Sequence, residues 1–136
     1  MLTGGQSVLN SDWLIAPASG YNQKRKHSNN AVDISNPCGT PTYAAAQGVV
    51  IQANVTNSKS KWANGGYGSN VRIQHKNGAL TIYAHLQSIY VKAGEAVNQG
   101  DLIGLMGGRP GTAGAGRSTG CHLHFEVRGA GNPFLK

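Results

Sequence analysis

Gly120-Cys121-His122-Leu123-His124-Phe125-Glu126-Val127-Arg128 alternates without a break, with Leu123, Phe125 and Val127 in one parity and His122, His124, Glu126 and Arg128 in the other. Period-two alternation marks a strand with one face in a core. The opposite face then carries chemistry. Two imidazoles at i and i+2 project to the same side, roughly 6.5–7 Å apart along the strand, close enough for one to bind a metal while its neighbour handles protons. A solvated face of ordinary surface residues is the alternative, and a His-x-His pair alone does not choose between them.

The 136 residues suffice for one domain with its own core, taken as residues 1–136, with 1–10 read as a linker remnant. Glycine is frequent at 20 residues, charged residues are sparse, and short apolar alternations recur between Gly, Asn and Pro. An all-β protein rich in turns is expected. The net charge of +7 predicts attraction to polyanions such as nucleic acid, anionic wall polymers or an acidic membrane surface. Lys24-Arg25-Lys26 is the one basic cluster, too short for a nucleic-acid footprint, and reads as a solvated loop, so no specific nucleic-acid partner is expected. No apolar run approaches the roughly 20 residues of a transmembrane helix. Cys38 and Cys121 form either a single bridge or two unpaired buried thiols.

Along the chain, Trp13–Pro17, Ala31–Ile34, Thr42–Ala46, Gly48–Val55, Asn70–His75 and Ala79–Leu86 read as strands. Val32 and Ile34 share one face of theirs, leaving Asp33 on the other. Lys76-Asn77-Gly78 is a hairpin turn, and His75 before it reads as an exposed strand end. Asn57–Tyr67 is a polar loop long enough to wall a site or act as a lid. Short glycine-bounded legs run from Val91 to Gly104, and a second Gly-rich loop, 107–120, feeds the histidine strand. No amphipathic helix and no repeat are evident.

His27, Asp33, His85, His122 and His124 are scattered over several strands, as a site built on a sheet surface requires. A His/Asp/His set with an open fourth position is the catalytic form of zinc coordination. The two remaining imidazoles could take a proton from water and stabilise an oxyanion. No His-Glu-x-x-His motif supplies a glutamate base, so histidine is the base on offer. Glu126 either orients a ligand or pairs with Arg128 at the surface.

The segments His27 to Asp33, Tyr83-Ala84-His85-Leu86 and His122-Leu123-His124-Phe125-Glu126 resemble the signature of the M23 peptidases, the lysostaphin- and LytM-like zinc endopeptidases that cut peptidoglycan peptides. The likeness extends to Cys38–Ala45 and to the glycine-stepped Val91–Gly104. It implies an antiparallel β-sheet groove of the duplicated hybrid motif kind, walled by loops. It also implies zinc held by His27, Asp33 and His124, with His122 as general base and His85 helping to stabilise the oxyanion. Five residues separate His27 from Asp33, where the family commonly has three, and Asn29 stands at the shorter spacing. A neutral amide is a poorer zinc ligand than imidazole, which favours His27. A metal shared by Asp33 and His124 would draw Cys38 and Cys121 close, and a disulfide between them would brace the site in an oxidising compartment.

The expected function is thus a zinc-dependent endopeptidase hydrolysing amide bonds of peptidoglycan cross-link or stem peptides. It would be a monomer acting outside the cytoplasm as a domain of a larger exported protein, drawn to anionic wall polymers by its charge. The alternative is an inactive M23-like module that binds the wall or a partner enzyme.

Overall fold

The computed structural model describes residues 13–22 and 30–135. Ten strands make up the described chain: β1 (Tyr21–Asn22), β2 (Ala31–Ser35), β3 (Pro41–Tyr43), β4 (Gly48–Asn54), β5 (Asn70–Gln74), β6 (Leu80–Ala84), β7 (Leu86–Ile89), β8 (Ala96–Val97), β9 (Leu102–Met106) and β10 (His122–Arg128). They form a seven-stranded sheet in the order β1-β2-β10-β6-β5-β4-β8 and a three-stranded sheet in the order β3-β9-β7. Every pairing is antiparallel. The helical content of the described residues is two short 3-10 turns, so the all-β expectation holds. No helix among them is long and apolar enough to cross a membrane.

The histidine strand is β10, and its alternation is obeyed throughout. Leu123, Phe125 and Val127 are fully buried, each contributing about 1.5–3 kcal/mol by leaving water. Phe125 packs between Tyr83 and Phe134, with ring centroids 5.3 and 5.8 Å away. Strand β10 lies between β2 and β6, in a register that sets His124 opposite Asp33 on one side and Ala84 on the other. Directly opposed residues of antiparallel strands share a face. Burying Val32 and Ile34 therefore turns Asp33 to the same side as His122 and His124.

Three segments depart from expectation. Trp13–Pro17 forms no strand, because its backbone makes single contacts, Ile15 N–H to the Ala45 carbonyl and the Pro17 carbonyl from Tyr43 N–H. The Thr42–Ala46 strand stops at Tyr43, since Ala44 N–H turns to a different partner, the Asp101 carbonyl. The Ala79–Leu86 strand is two strands in two sheets, broken at His85, whose φ of 65° swings the chain from β6 into β7. The Asn77-Gly78 turn forms as expected, with Gly78 at φ 89°.

The two loops expected to wall a site are joined to each other. In the first, Thr56, Ser58 and Ser60 accept in turn from the backbone N–H two residues on, each at 3.1 Å, a run of side-chain turns that orders the loop without regular structure. The second loop crosses it through Gly114 N–H to the Ser58 carbonyl, Ser69 N–H to the Gly114 carbonyl and Arg117 N–H to the Gly66 carbonyl. Approach is so close that a Cβ on Gly68 would lie 2.0 Å from the Gly114 oxygen. A Cys38–Cys121 disulfide ties the turn after β2 to the start of β10.

Candidate active site

Four of the five expected site residues converge. Asp33 comes from β2, His122 and His124 from β10, and His85 from the break after β6. The Asp33 Oδ1 lies 3.4 Å from His124 Nδ1 and 3.5 Å from His122 Nε2. The His85 ring centroid is 4.9 Å from that of His122 and 5.8 Å from that of His124. The fifth residue, His27, together with Asn29 and Lys24-Arg25-Lys26, lies outside the described residues.

Each ring is oriented by a partner that can only accept. His85 Nδ1 donates to the Ala115 carbonyl at 2.8 Å, and His122 Nδ1 donates to the Gly120 carbonyl at 2.7 Å. In a neutral imidazole this leaves Nε2 with the lone pair. His85 is further pinned by its N–H on the Tyr67 carbonyl and its own carbonyl under Gly107 N–H, which sustain a left-handed backbone that costs a non-glycine residue about 1–3 kcal/mol. Burial, followed by the neighbouring His122 and His124, pushes His85 down to about 3, so it is neutral at ordinary pH. His124 behaves oppositely. Burial pulls it down, but hydrogen bonds and charge from Asp33 and Glu126 outweigh that and raise it above the ordinary value.

Glu126 is fully buried and meets both of its alternative partners, with Oε1 3.3 Å from His124 Nε2 and Oε2 accepting from Arg128 Nε. Sequence pattern places Tyr67 only at the end of a loop. Its hydroxyl donates to Glu126 Oε1 at 2.8 Å and its ring stands edge-on to His124 at 5.6 Å. The one sequence signal for it is a large aromatic between glycines, in Gly65-Gly66-Tyr67-Gly68. His75 is not an exposed strand end but is buried at the far end of the β5–β6 hairpin.

The donor set suits zinc. Bonds of about 2.0–2.1 Å in a tetrahedron put neighbouring ligand atoms roughly 3.3–3.4 Å apart, and Asp33 Oδ1 and His124 Nδ1 stand at 3.4 Å. Among the described residues, no group of three or more His, Cys, Asp or Glu is arranged to hold a metal. His27, the remaining ligand of the expected set, is outside them.

Residues 27–135 match peptidase family M23. The DD-carboxypeptidase/endopeptidase Mpg of Neisseria meningitidis serogroup B is 42% identical over 102 residues, covering 75% of this chain and 20% of Mpg. The peptidoglycan DD-endopeptidase ShyA of Vibrio cholerae serotype O1 is 36% identical over 133 residues, covering 92% of this chain and 27% of ShyA. This chain therefore spans about a fifth to a quarter of the length of these relatives. Among solved structures, a zinc containing peptidase from Vibrio cholerae superposes with a TM-score of 0.61 at 33% identity, covering 93% of this chain and 37% of that one. With its sheet, its histidine strand and its sequence all agreeing, the chain belongs to peptidase family M23.

Proposed function

We propose that this domain is a zinc-dependent endopeptidase that hydrolyses amide bonds in the cross-link or stem peptides of peptidoglycan. The observation that carries the proposal is the convergence of Asp33, His85, His122 and His124 on one sheet face, with His85 held there in a strained backbone. A glycine would make the same turn from β6 into β7 without that strain, so the side chain is what the strain retains. The likeness to ShyA, named a peptidoglycan DD-endopeptidase, supports the substrate class, and the zinc containing neighbour supports the metal.

In this reading Asp33, His124 and His27 would hold the zinc. When bound, zinc lowers the pKa of water and polarises a carbonyl. His122 receives the proton of the attacking water on Nε2, because its Nδ1 is committed to Gly120. His85 enters with Nε2 as an acceptor, for the same reason at Ala115. It can donate from Nε2 to the tetrahedral oxyanion after taking the proton that His122 removes from the water. The joined loops around Ser58, Gly66 and Gly114 wall the cleft and select the peptide. The disulfide and the charge of +7 support action outside the cytoplasm on an anionic wall.

Purified peptidoglycan of known cross-link chemistry, incubated with the protein, should release peptides whose masses identify the bond cut. A chelator should stop release and added zinc should restore it. Wall binding without released fragments would replace this proposal with the inactive module, and hydrolysis indifferent to chelator would remove the zinc.

A further inference from the structure

Glu126 is a carboxylate with none of its surface exposed, placed on the sheet face that otherwise carries His122 and His124. A buried carboxylate costs several kcal/mol unless its oxygens are satisfied, so its presence calls for a return. Among the described residues, three side chains reach its oxygens. Tyr67 Oη–H donates to Oε1 at 2.8 Å, Arg128 Nε–H donates to Oε2, and His124 Nε2 lies 3.3 Å from Oε1. Arg128 also donates to the Tyr67 hydroxyl at 3.3 Å, which links two of these partners directly. Arg128 keeps about half of its side chain in solvent and could be paired there. A carboxylate with no exposed surface is not needed to satisfy it.

The consequence falls on His124. An ionised carboxylate accepts and never donates, so Nε2 must carry a proton wherever the ring faces Glu126. In the neutral ring the lone pair is then on Nδ1, the atom that stands 3.4 Å from Asp33 Oδ1. Two lone-pair atoms at that separation repel unless a cation lies between them. The opposite tautomer would put N–H toward Asp33 and set a second acceptor against Glu126, a worse arrangement at the more deeply buried carboxylate.

We infer that Glu126, clamped by Tyr67 and Arg128, is a positioning residue that fixes His124 as its Nε2–H tautomer and so turns the Nδ1 lone pair toward Asp33. The use of that lone pair as a zinc ligand rests on the proposed function, whereas the tautomer does not.

The test is nitrogen-15 NMR of histidine-labelled, metal-free protein at a pH where His124 is neutral, alongside zinc affinity measured by competition with a chelator. Wild type should show Nε2–H at His124. Glu126→Leu should lose that preference and weaken zinc binding by about 10–100-fold, the usual loss on removing such a partner. Glu126→Gln keeps an acceptor oxygen for the ring and should restore both the tautomer and an affinity within about fivefold of wild type, well inside that range. Tyr67→Phe should fall between them. An Nδ1–H tautomer in wild type overturns the inference whether or not any variant folds, as does an unchanged tautomer in folded Glu126→Leu. If wild type shows Nε2–H, Glu126→Leu loses it and neither binds zinc, the positioning role stands and the zinc reading falls.

Discussion

His75 and His85 occupy equivalent places, each one residue past a strand of the same β5–β6 hairpin, and their rings are used in opposite ways. Both are buried, at 5% and 6% exposure, so burial does not separate them. Partners do. At the hairpin end both nitrogens of His75 are committed, Nδ1 donating to the Gln47 carbonyl and Nε2 accepting from Thr81 Oγ1, each at 2.7 Å. The chain continues with a fixed polarity, since Tyr83 Oη must donate to Thr81 Oγ1 and accept from Ala45 N–H. Burial holds the Tyr83 hydroxyl at about 12, keeping it protonated. At the other end, His85 and His122 each spend Nδ1 on a backbone carbonyl and keep Nε2 as a lone pair beside an aspartate and a third imidazole. A histidine with both nitrogens satisfied braces a fold, and one with a single nitrogen satisfied is equipped to move a proton.

The sharpest way to break that contrast is a reciprocal pair of substitutions. His122→Ala should cut kcat/KM on a wall peptide by about 10³–10⁴-fold, near the upper range for a lost acid–base group, while thermal unfolding barely moves. His75→Ala should leave kcat/KM of the folded protein close to wild type but cost about 2–3 kcal/mol in denaturant unfolding, because Thr81 and the Gln47 carbonyl lose buried partners. Comparable losses of activity in both variants would erase the distinction. Next in size is the metal. His27→Ala should weaken zinc binding by more than about 100-fold, beyond the effect of an outer-shell partner, and Asn29→Ala should leave it intact. Equal zinc content in both variants would remove His27 from the site.

The disulfide belongs to the end with His85 and His122, where it anchors β10 one residue before His122. Replacing Cys38 and Cys121 together by serine should cost about 2–5 kcal/mol, since the bridge closes a long loop, as read by the denaturant midpoint with and without reductant. No shift would mean that the sheet alone fixes the start of β10.

The smallest effect is in pH. Burial lowers His75 below its ordinary value, so the unfolded chain takes up the proton first as pH falls. The stability from neutral His75 is complete above the unfolded pKa of about 6.5 and is lost as pH drops toward the lower folded value, by at most about 1.4 kcal/mol per pH unit. Metal-free protein should therefore unfold more easily at pH 5 than at pH 7.5; His75→Gln should reduce that difference, and the part that remains belongs to His85, which burial pushes down in the same sense to about 3. His124, raised in the folded state, works in the opposite sense, its contribution being present at low pH and lost as pH rises through its folded value.

The facing of side chains on β10 and β2 is readable from the chain alone. Alternation in 122–128 and in 31–34 is a property of neighbouring residues, so the burial of Leu123, Phe125, Val127, Val32 and Ile34, and with it the orientation of His124 and Asp33, was legible before any fold was known. Loop positions and the Asn77-Gly78 turn followed in the same way. Tertiary structure decided which strand faces which, and what each side chain meets there. That Ala79–Leu86 divides between two sheets depends on His85 being held by Tyr67, Gly107 and Ala115, all distant in sequence. Whether His75 is solvated or locked depends on Gln47 and Thr81 arriving at its two nitrogens. Periodicity reports only the side of a strand on which a residue lies, whereas a hydrogen-bond partner contributed by another strand or loop is set by register and close packing.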